Sequence, residues 1–172
     1  MKILITGAKG QLGTELAHCL EAMEAEIGPI PAAYGGAEVQ AVDCDALDIS
    51  DGAAVDAWFA QHGPYDIVFN CAAFTNVDGC EEDPGFAERL NAQAPANLAA
   101  ACEAAGAVLV HTSTDYVLAG DDPMPQAEDA PAAPNTVYGI TKLAGERAVA
   151  EACPRSFIVR TAWLYGTRGK NF

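Results

Sequence analysis

Residues 1–13 read MKILITGAKGQLG, and this stretch decides the fold. Residues 1–6 are a short apolar run. Gly7, Gly10 and Gly13 then form a G-x-x-G-x-x-G turn, and Leu12, Leu16, Cys19, Leu20 and Met23 recur on one face of a helix over residues 11–23. The expected order is strand, tight turn, helix. Glycine suits such a turn because it permits the sharp reversal, lets the backbone approach a pyrophosphate and lets helix and strand pack closely. The helix N-terminus adds unpaired N–H groups and positive dipole. A glycine triplet alone is weak evidence. Between a strand and a helix it predicts a dinucleotide site with Gly7, Gly10 and Gly13 as cofactor contacts.

Outward from that turn the pattern alternates. Residues 28–36 (GPIPAAYGG) are rich in Gly and Pro and predict a loop, and residues 38–42 a second strand. Residues 51–61 place Val55, Trp58 and Phe59 on one helical face behind a Ser50/Asp51 cap, and Gly63-Pro64 breaks into a buried-type strand at 66–69. One long helix is expected over 86–105, with Leu90 and Leu98 facing in and Gly106 ending it. A strand at 107–111, a Pro- and Asp-rich loop at 120–134, a helix at 136–152 and a strand at 157–159 complete the chain. Strands alternating with such helices imply right-handed crossovers. The expected fold is α/β, a Rossmann-type doubly wound parallel sheet with helices on both faces and ligands at the carboxyl ends of the strands.

Composition narrows the partners. With 51% hydrophobic and 19% charged residues the chain reads as an ordinary globular domain. Its net charge of -15, from 24 acidic against 9 basic residues, leaves no cationic footprint for nucleic acid. Cys19, Cys44, Cys71, Cys80, Cys102 and Cys153 are scattered, with neither C-x-x-C nor metal-ligand spacing. They read as buried, reduced thiols. Without an apolar run of bilayer length or a leader pattern, the expected setting is the cytoplasm, with no membrane partner.

Two clusters carry chemistry. Asp43 ends the second strand, where a carboxylate can bond ribose hydroxyls and repel a 2′-phosphate, which favours NADH. Lys9, just before Gly10, puts a cation near the same place, and both NADPH and NADH stay open. Tyr138 and Lys142 lie four residues apart on one face of the expected last helix. A phenol of pKa about 10 becomes a useful acid-base group at neutral pH when an ammonium favours its phenolate. The pair follows a strand running into Ser113, Thr114, Asp115 and Tyr116, which puts hydroxyls at a carboxyl strand end. Thr114 is expected to hydrogen-bond a substrate ketone, Tyr138 to donate the proton, and Lys142 to lower the Tyr138 pKa while bonding the nicotinamide ribose.

Five segments in order, MKILITGAKGQLG, NCAAFTNVDGCEED, STDYV, VYGITKLAGE and RTAWLYG, resemble the dTDP-4-dehydrorhamnose reductases, extended short-chain dehydrogenases. The resemblance implies reduction of the 4-keto group of dTDP-4-dehydro-L-rhamnose with NADPH or NADH. It implies cofactor contacts from Gly10, Gln11, Leu12, Asp48, Ile49, Ala72, Ala73 and Thr75. It also places Thr114, Asp115, Tyr116, Tyr138 and Trp163 near the dTDP-sugar, Trp163 having a core aromatic as its alternative. In some members Glu15 would match a ligand for Mg2+ at a homodimer interface, though a solvated surface charge suits it here. Phe74, Asn76 and Leu118-Ala119 depart from the family pattern around the pocket.

Residues 1–172 are expected to form one cofactor-binding domain that stops before a substrate-binding domain is complete. Two other readings share the motifs. A sugar-nucleotide epimerase or dehydratase also uses the glycine turn and Tyr-x-x-x-Lys, but dehydratases typically have an acid where this chain has Tyr116. A non-catalytic regulator similar to the regulatory subunit of methionine adenosyltransferase would keep every motif without turnover.

Overall fold

A computed structural model describes residues 1–121 and 124–166. Asp122 and Pro123 of the expected loop, and the chain end at 167–172, lie outside the described residues. Strand β1 (Lys2–Thr6) runs through the glycine turn into helix α1 (Gln11–Ala22). A small ribbon, β2 (Glu24–Ala25) and β3 (Gly28–Pro29), leads to β4 (Glu38–Val42), then α2 (Gly52–His62) and β5 (Ile67–Asn70). Helices α3 (Val77–Glu82), α4 (Pro84–Glu88) and α5 (Ala94–Ala105) precede β6 (Val108–Thr114). Helix α6 (Val137–Ala152) and β7 (Ser156–Thr161) follow.

The main sheet has the order β4-β1-β5-β6-β7, every pair parallel. The chain winds one way from β1 to β4 and the other way from β5 onward, so the switch point lies between β1 and β5. Ligands of doubly wound sheets bind outside the carboxyl ends of the strands at that point.

Alternation along the strands builds two layers. Ile3 and Ile5 pack with Leu20 of α1 on one face. Leu4, Val68 and Leu109, in register across three strands, face Val55 of α2, Leu98 of α5 and Val149 of α6 on the other. One step toward the carboxyl edge, the same face turns polar: Thr6, Asn70 and His111 stand in register and are buried.

Three expectations change. The 28–36 loop contains β3, which pairs antiparallel with β2, and a 3-10 turn at Ala32–Tyr34. Met23, at φ 57, turns the chain back without a glycine. The single helix over 86–105 is three pieces, α4, a π-helical segment Arg89–Gln93 and α5. Pro95 explains the widened turn, because it has no N–H to return to the Asn91 carbonyl. Ahead of it lies α3, capped by the Asn76 side chain, while Asp83 caps α4 through the Phe86 N–H. Cysteine burial is mixed as well: Cys80, Cys102 and Cys153 are buried, Cys19 and Cys71 half-buried and Cys44 exposed, and none is disulfide-bonded. Cys44 is exposed because it lies in the turn just beyond β4. Burial pushes the Cys71 and Cys102 thiols up to about 11 and about 12, which keeps them unreactive.

Candidate functional site

The turn after β1 is held from several sides. Gly7 has φ +71, and a Cβ there would run into the backbone of Cys71 and Ala72 at the end of β5. A Cβ on Gly13 would strike the Gly7 carbonyl. The Ala8 N–H donates to the Val42 carbonyl at 3.0 Å, and the Thr14 hydroxyl donates to the Ala8 carbonyl at 2.8 Å. Beside this turn opens a cavity of about 410 Å³, lined by Gly7 and Gly10, by Asp43, Asp48 and Ile49 beyond β4, and by Ala72 and Ala73 beyond β5. It sits at the switch point.

The cavity's charged end is acidic and internally paired. Asp43 accepts the Lys9 N–H at 2.9 Å and the Cys44 N–H at 2.9 Å. Partial burial opposes its ionisation, yet those amide hydrogen bonds hold its carboxyl below the usual range. The Lys9 ammonium pairs with Asp45 at 2.8 Å in solvent. Asp48 is exposed and accepts both the N–H and the hydroxyl of Ser50, at 2.9 and 2.7 Å. Asn97 of α5 donates to the Ile49 and Ser50 carbonyls and pins this wall to the core.

At the end of β6 lies the second cluster. Thr114, Tyr138 and Lys142 are all buried. Thr136 caps α6 by accepting the Gly139 N–H at 3.0 Å, and the helix carries Tyr138 and Lys142 on the face toward β6. The Tyr138 phenol hydrogen-bonds Thr114, and its ring meets Tyr116 edge to face with centroids 5.4 Å apart. Lys142 Nζ donates to the Thr112 carbonyl at 2.7 Å. Burial pushes the Lys142 ammonium down to about 8, with Glu146 pulling the other way. Burial also pushes the Tyr138 phenol above its ordinary value, against the Thr114 hydrogen bond that lowers it. The expectation that Lys142 lowers the phenol's pKa is therefore corrected: desolvation dominates, and one of the three ammonium hydrogens goes to the Thr112 carbonyl.

Asn91 and His111 stiffen the floor. Asn91 accepts the Phe74 N–H at 2.9 Å and donates to the Phe74 carbonyl at 3.0 Å and to the Thr141 hydroxyl at 3.3 Å. It thereby clamps the 71–76 segment, which forms the cavity wall, to α6. Asn70 Oδ1 accepts from Thr6 and from the Ala72 N–H, so its amide nitrogen faces His111 Nδ1 at 3.0 Å. That makes Nδ1 an acceptor and places the imidazole proton on Nε2. Burial, then the Lys142 charge, push His111 down to about 3, so it stays neutral.

The structure therefore brings Gly7, Gly10, Asp43, Asp48, Ile49, Ala72 and Ala73 together at one cavity, and Thr114, Tyr138 and Lys142 at a neighbouring strand end. Gln11, Leu12, Gly13 and Thr75 do not line the cavity; Gln11 to Gly13 open α1 and Thr75 is exposed next to the α3 cap. Asp115 and Tyr116 are exposed beside Tyr138. Trp163 is 75% exposed with φ 52. Glu15 is half-buried on α1 and accepts from the Cys19 thiol at 3.9 Å, not freely solvated. No group of three or more His, Cys, Asp or Glu among the described residues could hold a metal ion. Nor is any described helix long and apolar enough to cross a membrane. Sequence reasoning missed Asn91, Glu146 and Arg160. The signal for Glu146 was its place four residues beyond Lys142, on the same helical row.

Comparison with known proteins shows the family. Residues 1–172 match the family described as RmlD substrate binding domain. The chain is 49% identical over 170 residues to the dTDP-4-dehydrorhamnose reductase of Streptomyces griseus, covering 98% of this chain and 52% of that protein. The chain spans about half the length of the curated relatives it matches. It aligns with the crystal structure of a dTDP-4-dehydrorhamnose reductase from Clostridium acetobutylicum at TM-score 0.90 and 45% identity, covering 100% of this chain and 56% of that one. For the Bacillus anthracis dTDP-4-dehydrorhamnose reductase in complex with NADP the values are 0.86 and 37%, with 99% and 56% covered. With the glycine turn, the switch-point cavity and the buried Thr114, Tyr138 and Lys142 in place, the chain belongs to the RmlD substrate binding domain family.

Proposed function

We propose that residues 1–172 are the nicotinamide-nucleotide half of a reductase that converts the 4-keto group of dTDP-4-dehydro-L-rhamnose to the alcohol, using NADPH or NADH. The observation that carries this reading is the buried Thr114, Tyr138 and Lys142 cluster at the carboxyl end of β6, beside a glycine-walled cavity at the switch point. The cavity fits a dinucleotide. Gly7 and Gly13 allow the turn to pack tightly, since a Cβ on either would strike neighbouring backbone, and the N-terminus of α1 opens beside the cavity lined by Gly7 and Gly10. Asp43 has partly spent its acceptor capacity on amides, yet a carboxylate offers further lone pairs to ribose hydroxyls.

Bound nicotinamide supplies the hydride. The protein supplies the proton and the alignment. Tyr138, held above its ordinary pKa by burial, stays protonated through neutral pH, which is the state a proton donor requires. Thr114, whose one hydroxyl proton goes to Asp115 at 3.0 Å here, turns that proton to the ketone oxygen when substrate binds and stabilises the charge that gathers there. Lys142 brings an ammonium to the ribose and keeps the reacting carbon and the phenol in register. Asp115, Tyr116 and Trp163, exposed around this mouth, are the groups we assign to the sugar nucleotide. Titrating the full-length protein with NADPH and NADH, and then supplying the keto sugar, tests the reading: cofactor oxidation should need the sugar and should vanish in Tyr138→Phe.

A further inference from the structure

Glu146 lies one helical turn beyond Lys142, on the row that carries Tyr138. It is buried, and its carboxylate is held on every side. Arg160 of β7 grips it through Nε to Oε1 at 2.9 Å and through a terminal nitrogen to Oε2 at 2.7 Å, while the Ser113 hydroxyl donates to Oε1 at 2.5 Å. Adjacent residues of β6 thus serve adjacent turns of α6: the Thr112 carbonyl holds Lys142, and the Ser113 side chain holds Glu146. Ser113, one of the hydroxyls expected at the substrate edge, is turned inward to this carboxylate. With Arg160 half-buried, such a pair adds little to stability. Its position beside Lys142, the one buried lysine among the described residues, calls for another account.

We propose that Glu146, clamped by Arg160 and Ser113, is a positioning residue that sets the charge of Lys142 and so keeps an ammonium available at the ribose end of the site. The idea deepens the reductase reading and rests on the role given there to Lys142. The groups that face Lys142 are few. Among the described residues, Glu146 on α6 and His111 on β6 interact with it by charge; Tyr138 stands one turn before it, with Cys80, Asp115 and Tyr116 around the phenol, and Arg160 lies on Glu146. His111 is neutral, and Tyr138 and Cys80 keep their protons, their values raised by burial. Glu146 alone opposes the burial that strips the proton from Lys142. The two-point grip of Arg160 keeps that carboxylate from turning away. Arg160 also partly offsets its field, so the pair tunes the lysine without locking it in the charged form.

The test is an NMR pH titration of full-length protein labelled with carbon-13 at the lysine ε position, with Lys142 assigned by the signal lost in Lys142→Met. The wild-type midpoint is expected near 8. Glu146→Gln should lower it by about one pH unit, and Glu146→Gln with Arg160→Gln by less, because the unpaired arginine is gone. A one-unit drop cuts the charged fraction at pH 7.5 about threefold. If Glu146→Gln does not fold, the double variant decides alone. A midpoint unchanged or raised in the variants that fold overturns the proposal, since a merely structural carboxylate would alter melting and leave the titration in place. Neither substrate nor cofactor is needed. A full-length protein with no reductase activity but with these shifts would therefore overturn the reductase reading alone.

Discussion

Asn91→Ala should weaken the fold modestly and cofactor binding selectively. The side chain is 1% exposed and makes three hydrogen bonds, two of them to both backbone groups of Phe74. Each of the two short bonds is worth about 1 kcal/mol, the long one less, and the space left by the amide adds about 1 kcal/mol in lost packing. The sum, about 3 kcal/mol, falls within the 5–15 kcal/mol typical of whole domains, so the variant should stay folded. Its unclamped 71–76 segment no longer holds Ala72 and Ala73 against the cavity. Cofactor affinity should then fall about tenfold, equivalent to about 1.4 kcal/mol. Urea unfolding of the full-length protein reads the first effect and calorimetric titration with NADPH or NADH the second. Leu98→Ala is the control: it lies in the core on α5 and should cost about 2–5 kcal/mol without changing affinity. Equal loss of affinity in both variants, or none in Asn91→Ala, would refute the clamp.

Other perturbations separate other parts of the account. Gly13→Ala should abolish dinucleotide binding while leaving near-native circular dichroism, because a Cβ there strikes the Gly7 carbonyl; retained affinity would break the turn argument. His111 is neutral in the fold down to about 3 and has an ordinary value of 6.5. The unfolded chain therefore binds the extra proton first, so the stability held above pH 6.5 is lost as pH falls toward 3, by up to about 4 kcal/mol. Urea midpoints across that window should flatten in His111→Gln, and an unchanged slope would contradict the neutral imidazole. Asp45→Asn frees Lys9 from its surface partner, and the NADPH-to-NADH preference in KM should rise roughly threefold at low salt and shrink as salt screens it. No change at low salt would remove Lys9 from the 2′-phosphate site.

Much of this was legible in the sequence for simple physical reasons. The strand, glycine turn and helix at the N-terminus are local features, and each of their signals points the same way. Helix α2 announced its start through Asp51, whose side chain accepts the Ala53 and Ala54 N–H groups. The Tyr138 and Lys142 spacing named a shared face before any coordinates did. What stayed hidden depends on long-range contact. Asn91 reads as an ordinary helix residue until Pro95 opens a π turn and turns its amide onto a segment seventeen residues away. Arg160 looks like a strand surface charge, and only the packing of β7 beside β6 brings it to Glu146. The Tyr138 shift went the other way from expectation because desolvation depends on the closed structure around the phenol, which spacing on a helix does not reveal.

The most direct test of the central claim is the oxidation of reduced nicotinamide, followed at about 340 nm, by full-length protein supplied with dTDP-4-dehydro-L-rhamnose. The account predicts sugar-dependent loss of absorbance in the wild type. It predicts a fall of about 100- to 10,000-fold in kcat for Tyr138→Phe with cofactor affinity unchanged. If neither NADPH nor NADH is oxidised by the wild type, or if Tyr138→Phe turns over at the wild-type rate, the assignment is wrong.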